Sequence, residues 1–143
     1  MSDKPQSKLP VYQVAVILSV LFTLVGFSYN VWRMEISEEN STKRTACFEI
    51  LINLASLEQL VYAAHYDGDE DAGNPRNGWV LVGLIADLSV LADDTVSATS
   101  EMLKQTWSAS WQQLPTEREQ VDHVISAVDE VRGAIKDLLV SLE

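Results

Sequence analysis

The chain has 143 residues, 47% of them hydrophobic, and a formal net charge of −11 at pH 7. The charge is uneven: residues 1–33 carry a net +2, whereas residues 34–143 carry seven Lys or Arg against twenty Asp or Glu, a net −13. Such a domain repels nucleic acid and anionic lipid headgroups, which excludes both as ligands. A single cysteine excludes an internal disulfide, which is compatible with a domain stabilised by packing alone.

The first predicted elements are a polar cytoplasmic tail, residues 1–8, and a transmembrane helix, residues 9–32. These 24 residues contain no charge, and at about 1.5 Å per residue they are long enough to cross a bilayer core. No small-x-small cleavage site follows, so we interpret the segment as an uncleaved anchor rather than a signal peptide. A buried core helix is disfavoured because such helices are shorter. The residues expected at the membrane interface are Tyr12, Tyr29, Trp32 and Arg33.

The orientation of this helix rests on a close balance of basic residues. Lys4 and Lys8 precede the span, whereas Arg33, Lys43 and Arg44 follow it. A very short basic tail usually stays in the cytoplasm. The expectation is a single-pass protein of the bacterial inner membrane, with its amino terminus in the cytoplasm and its carboxy-terminal domain in the periplasm.

A long helix is predicted next, over about residues 35–65. Its apolar positions recur at alternating steps of four and three, which is the heptad pattern of a packed helix. The seam is polar at Asn40 and Lys43, so we expect a solvated stalk there and a packed core from Cys47 onward. The residues expected to widen the apolar stripe are Phe48, Leu51 and Leu60.

The main loop is predicted over residues 65–79 and holds the one pattern that points to a metal. Asp67, Asp69 and Asp71 alternate, as the oxygen ligands of calcium loops do. The match is partial, because Gly73 stands one position late and Gly78 replaces the bidentate Glu. An acidic, solvated connection between helices is the alternative interpretation.

Three more helices are predicted, over about 76–92, 95–113 and 117–142. Asn74 is the expected N-cap of the first, with Pro75 in its first turn, and Asp93 is expected to cap the second. Residues 79–92 are apolar on almost every face, which predicts a buried helix; a short membrane-contacting segment is the alternative, and a buried strand lacks a partner. Thr116 and Glu119 match a capping box at the start of the last helix.

These elements predict an all-α protein with one N-terminal transmembrane helix followed by a small antiparallel bundle of three to four helices, residues 33–143. The last helix carries the cleanest seam. Its apolar residues are Val121, Val124, Val128, Val131, Ile135, Leu138 and Leu142.

No catalytic or cofactor-binding residue set is recognisable, so we expect no enzyme activity and no cofactor. His65 and His123 lack metal-ligand spacing, and Cys47 lies on the inward seam, as a buried hydrophobe would. Trp79, Trp107 and Trp111 either fill the core or line a ligand cavity between helices.

The expected function is therefore protein–protein interaction in the cell envelope, with an unknown envelope protein or a second copy as partner. In outline, the architecture resembles the periplasmic four-helix bundles of bacterial chemoreceptors. That resemblance implies ligand sensing as an alternative, with the signal passing through a partner because this sequence shows neither a second span nor a signalling region. The short tail, single span and following helix also resemble single-span division and lysis proteins.

Overall fold

The computed structural model describes the backbone of residues 8–142 and the side chains of residues 11–142. Within these limits the chain forms four α-helices and no strand. The chain is therefore all-α, as predicted, and it divides between Glu39 and Asn40 into two compact units. The predicted tail lies outside the described residues except for Lys8. The helices are α1, Lys8–Tyr62; α2, Pro75–Ser89; α3, Asp94–Ser110; and α4, Arg118–Ser141.

The amino-terminal unit consists of the first part of α1. Among the described residues, this helix alone is long and apolar enough to cross a membrane, and none of its apolar window is buried inside the chain. Two of its hydroxyl groups bond within the helix: Ser19 donates to the Ala15 carbonyl and Thr23 to the Ser19 carbonyl, each at 2.8 Å. A helix that satisfies its polar groups internally meets the main requirement for residence in lipid.

The unit from Asn40 onward is a helical bundle. The predicted inner seam of α1 is confirmed, because five of its residues are fully buried: Cys47, Ile50, Leu54, Leu57 and Val61. Helix α2 packs against α3, and α3 packs against α4. The predicted seam of α4 is buried from Val121 to Leu138, and Leu103 and Trp107 on α3 are fully enclosed.

Two long-range hydrogen bonds show that α1 and α4 run antiparallel in the bundle. Arg44, early in this part of α1, donates from Nη2 to the carbonyl of Leu142 at the end of α4, at 2.6 Å. His65, just beyond the end of α1, lies with Nδ1 2.7 Å from the carbonyl of Leu114, which precedes α4. The start of one helix therefore meets the end of the other, as the predicted bundle requires.

Local chemistry sets the helix ends. Helix α1 ends in a π-helical turn, Ala63–Asp67, which stops where Gly68 adopts φ +61° and its N–H donates to the Ala63 carbonyl. The two predicted N-caps are confirmed: the Asn74 side chain accepts from the Arg76 N–H, and the Asp93 side chain accepts from the Val96 N–H.

The predicted capping box at Thr116 is wrong. Helix α4 begins at Arg118, and Glu117 is its N-cap without a side-chain cap hydrogen bond. The Thr116 hydroxyl donates instead to the Gln113 carbonyl at 3.2 Å. The backbone N–H groups of Thr116 and Glu117 donate to the same carbonyl, so this threonine belongs to the preceding turn.

Candidate interaction surface

A second series of residues with heptad spacing runs along the outside of α1. Its seven members are all exposed and uncharged. We call this series the outer stripe; it consists of Ser41, Thr45, Phe48, Ile52, Ala55, Gln59 and Tyr62. Steps of four and three alternate along it, so its residues share one face of the helix.

The outer stripe corrects the prediction that Phe48 widens the core. Phe48 is 58% exposed and Ile52 is 60% exposed, whereas Leu60 is buried as predicted and Leu51 is half-buried. The bundle covers only the inner face of α1, and Phe48 faces away from it. Two large apolar side chains, one turn apart, are thus left on the surface of a strongly acidic domain.

The flanks of the outer stripe differ in chemistry. On one side, Thr45 and Glu49 border a shallow groove of about 250 Å³ whose far wall is Leu88 and Leu91. On the other side, Arg44 is bonded to the carboxy-terminal end of α4. The outer stripe therefore runs between an apolar groove and a basic side chain.

An ion-pair network further along the second flank joins α1 to α4. Glu58 accepts from Arg132 at 2.9 Å and from the Tyr62 hydroxyl at 3.1 Å, and Arg132 also bonds Asp129 at 2.6 Å. The hydrogen bond to Glu58 raises the pKa of Arg132, and burial, aided by Glu58, raises the pKa of Tyr62. The carboxylate of Glu58 is thus already paired within its own chain.

Helix α2 adds a second exposed apolar surface, which corrects the prediction that this helix is buried. Only its inner residues, such as Val82 and Ile85, are enclosed. Its outer side is open, with Val80 67% and Val90 74% exposed. We call this surface the α2 patch; it consists of Trp79, Val80, Leu84, Val90 and Leu91.

The position of α2 depends on the absence of a side chain at Gly78. A Cβ atom there would lie 2.0 Å from Cζ2 of Trp107, far inside van der Waals contact. Trp107 is fully buried, so a larger residue at position 78 would force the ring or the helix to shift. This close approach fixes one face of α2 to α3, whereas the α2 patch stays exposed and its Leu91 also borders the groove to α1.

The predicted calcium residues do not converge. Asp69 uses its carboxylate to close the loop, accepting from the backbone N–H groups of Asp71 at 2.9 Å and Ala72 at 3.0 Å. Across residues 11–142, no group of three or more His, Cys, Asp or Glu side chains is arranged to hold a metal ion. Asp67 lies at the end of the π-helical turn. Loop closure is the role that the geometry gives to Asp69.

The remaining sequence candidates are dispersed. Cys47 is fully buried, and burial together with the charge of Asp93 raises the pKa of its thiol. His123 is exposed, with Nε2 4.0 Å from a Glu119 carboxylate oxygen. His65 contacts the α3–α4 connection, as described above. No nucleophile–base pair emerges from these positions.

The three candidate tryptophans do not line one cavity. Trp107 and Trp111 border a cavity of about 150 Å³, whereas Trp79 belongs to the α2 patch. Nearby, His65, Asp69 and other loop residues line an open cleft of about 520 Å³. The indole N–H of Trp107 has no hydrogen-bond acceptor among the described residues.

The predicted membrane-interface residues lie in the amino-terminal unit. Tyr12, Tyr29, Trp32 and Arg33 are all exposed, and the rings of Tyr29 and Trp32 lie with their centroids 6.2 Å apart. Their side chains make this end of the apolar segment aromatic, which is typical of residues at the level of lipid headgroups.

The chain matches no protein-family model, no curated protein and no solved structure. The candidate surface is therefore argued from its own residues. The sequence analysis did not identify the outer stripe, although the sequence contains its pattern. Phe48, Ile52 and Tyr62 belong to a second series with alternating steps of four and three, which is the inner series shifted by two residues toward the amino terminus.

Proposed function

We propose that this is a single-pass protein of the bacterial inner membrane that acts by binding another protein rather than by catalysing a reaction. In this proposal the amino terminus is cytoplasmic and the bundle lies in the periplasm. The apolar amino-terminal helix supports the anchor. The very short basic tail, with Lys4 and Lys8, supports the orientation, because such tails usually stay in the cytoplasm.

One observation carries the binding role: the outer stripe and the α2 patch expose large apolar side chains on an otherwise acidic unit. Water contact with apolar surface costs about 25 cal/mol per Å². Contiguous apolar surface on a folded domain is characteristic of protein-binding sites. A protein partner that covers these two surfaces would remove that cost, and the surrounding carboxylates would limit nonspecific association.

Site-specific photo-cross-linking in native membranes tests this role. A photoreactive phenylalanine analogue is placed at Phe48 or at Leu84, and Ala98, an exposed residue of α3, is the matched control. We expect discrete higher-mass adducts at Phe48 or Leu84 and none at Ala98. Equal yields at all three positions, or no adduct at any of them, would contradict the proposal.

Two measurements test the anchor and its direction separately. The full chain should stay in the membrane fraction after alkaline extraction and should require detergent for release. A periplasm-active reporter fused after Glu143 should be active. Release of the chain without detergent would remove the anchor, and a reporter active only in the cytoplasm would reverse the orientation.

Extracytoplasmic ligand sensing is the second candidate. It is favoured by the open cleft of about 520 Å³ at the loop, where polar groups of His65, Asp69 and Asn74 meet the ring of Pro115. A small-molecule screen of the detergent-solubilised chain by thermal shift tests it. A shift that is lost in His65→Ala, and retained in the surface control His123→Ala, would support this function.

A further inference from the structure

We propose that the outer stripe of α1 binds the outer stripe of a second copy of this chain, forming a parallel two-stranded coiled coil. This inference names one partner for the proposed binding role. It rests on that proposal for the membrane that both copies would share. Three observations carry it: the heptad register, the charges beside the stripe and the placement of its one amide.

The register of the outer stripe is that of a coiled-coil seam. Counting heptad positions a to g, its a positions are Thr45, Ile52 and Gln59. Its d positions are Ser41, Phe48, Ala55 and Tyr62. Residues at a and d meet their counterparts across a parallel dimer, so the two large exposed side chains would be covered by their own copies.

The charges beside the stripe are complementary in this arrangement. In a parallel dimer, position g of one helix faces position e of the next heptad on its partner. Arg44 occupies g and Glu49 occupies the following e, so each copy would supply the cation for one ion pair and the anion for the other. Both side chains are exposed, and the bond from Arg44 Nη2 to the Leu142 carbonyl leaves other N–H groups of the guanidinium for the partner's carboxylate. The one acidic g residue of the stripe, Glu58, is bonded to Arg132 in its own chain.

The absence of charge within the stripe favours a second copy over a generic partner. Two domains with a net −13 over residues 34–143 repel each other unless the contact avoids carboxylates. The seven stripe positions carry none, and the exposed base Arg44 stands beside them. The surface is thus compatible with its own copy despite the charge of the whole domain.

Gln59 would fix the register and the direction. A polar side chain at an a position meets its own counterpart in a parallel, in-register dimer, where two amides can bond each other. In an alignment shifted by one heptad, Gln59 would face Ile52 and the amide would lose its partner, which disfavours that alignment. Two copies inserted into one membrane with the same orientation would both lead into the outer stripe from its amino-terminal end, which also favours a parallel pair.

Disulfide scanning in native membranes tests the contact. The full chain carries Ala55→Cys, on the outer stripe, or the matched substitution Ala98→Cys, on the exposed face of α3. The unsubstituted chain is the baseline, because its one thiol, Cys47, is buried. After mild oxidation we expect a covalent dimer from Ala55→Cys at several-fold higher yield than from Ala98→Cys. Equal yields would overturn the proposal.

A charge exchange then tests the register. In the Ala55→Cys background, Arg44→Glu or Glu49→Arg alone should lower the dimer yield several-fold, because each places like charges opposite one another. The double exchange Arg44→Glu/Glu49→Arg should restore the yield, since it rebuilds both pairs in the reverse sense. A double variant no better than the single ones would overturn the parallel register.

Failure of this inference can be told apart from failure of the proposed function. Membrane-bound chain that yields no Ala55→Cys dimer, while photo-cross-linking at Phe48 captures a different protein, removes the self-association and leaves the binding role standing. Chain that is released from membranes without detergent removes the proposed anchor, and the argument for parallel helices is lost with it.

Discussion

The two faces of α1 between residues 41 and 62 carry the same kind of pattern and have opposite fates. The inner seam and the outer stripe both follow alternating steps of four and three. The inner seam is enclosed by the bundle from Cys47 to Val61, whereas every residue of the outer stripe is exposed. Heptad spacing therefore identifies a helix face that is able to pack. It does not show whether the packing partner belongs to the same chain.

Composition does separate the two faces once both are visible. From Cys47 to Val61, every layer of the inner seam is apolar: the first residue is the cysteine and the others are aliphatic. The outer stripe mixes two large apolar residues with hydroxyl and amide groups, including Gln59. A face of mixed polarity can stay in contact with water when it is free and can pack when a partner binds. Interfaces that form reversibly have this kind of composition.

The largest expected effect contrasts one residue from each face. Leu54→Ala empties a fully buried site and should lower the free energy of unfolding by about 2–5 kcal/mol. Ile52→Ala removes a similar volume from an exposed site and should change it by less than about 0.5 kcal/mol in dilute detergent solution. Urea unfolding followed by circular dichroism measures both. Equal losses would mean that the outer stripe is part of the core.

The two faces of α2 allow a similar contrast. Gly78→Ala puts a methyl group against the buried Trp107 ring and should destabilise the bundle by about 1–3 kcal/mol. The Cβ added by Gly83→Ala would meet no atom of another element within 4 Å. This substitution should stabilise the bundle by about 0.4–1 kcal/mol, because it lowers the entropy of the unfolded chain. Thermal unfolding of the two variants compares them directly. A neutral Gly78→Ala would contradict the close packing of α2 on Trp107.

The caps distinguish the confirmed helix start from the corrected one. Asp93→Ala removes the acceptor of the Val96 N–H and should cost about 1 kcal/mol. Thr116→Ala should cost less, because its hydroxyl caps no helix and bonds the preceding turn. Equal losses in the two unfolding curves would restore the capping box that the structure rejects.

The smallest effect concerns the chemistry of the inner seam. Burial and Asp93 raise the pKa of Cys47, so its thiol should resist maleimide in the native protein and react after unfolding. The raised pKa also means that its contribution to stability is present below the ordinary thiol pKa and is lost as pH rises toward the folded value. Labelling rates across pH 7 to 9, read by mass spectrometry, check this. Rapid labelling of folded protein would place Cys47 at the surface.

Much of the fold could be predicted from the sequence, because its signals are local. Two helix starts are specified by residues at the start itself, Asn74 with Pro75 for α2 and Asp93 for α3. The inward face of α4 is specified by its uninterrupted apolar seam. The capping box predicted at Thr116 is wrong because the backbone N–H groups of Thr116 and Glu117 both donate to the Gln113 carbonyl, which holds the threonine in the earlier turn. A sequence motif cannot show which turn its first residue joins.

The candidate surface could not be predicted, because it depends on which faces the bundle leaves open. The pattern predicts that helix α2 is buried on every side, yet α3 packs against one face of it and its outer residues stay exposed. Phe48 lies one position from the buried Cys47, and the direction in which each side chain points depends on where α2 and α4 dock. That information is tertiary and is absent from the periodicity.

The most direct test measures how strongly the outer stripe is protected from a thiol reagent in native membranes that have been permeabilised, so that the reagent reaches both sides. Ile52→Cys and Ala98→Cys are treated with a polar maleimide, and the modified fraction of each full-length chain is measured. We predict that Ile52→Cys labels several-fold more slowly than Ala98→Cys and that detergent dilution, which separates the copies, removes the difference. Equal labelling in intact membranes would contradict the claim that the outer stripe is covered by protein.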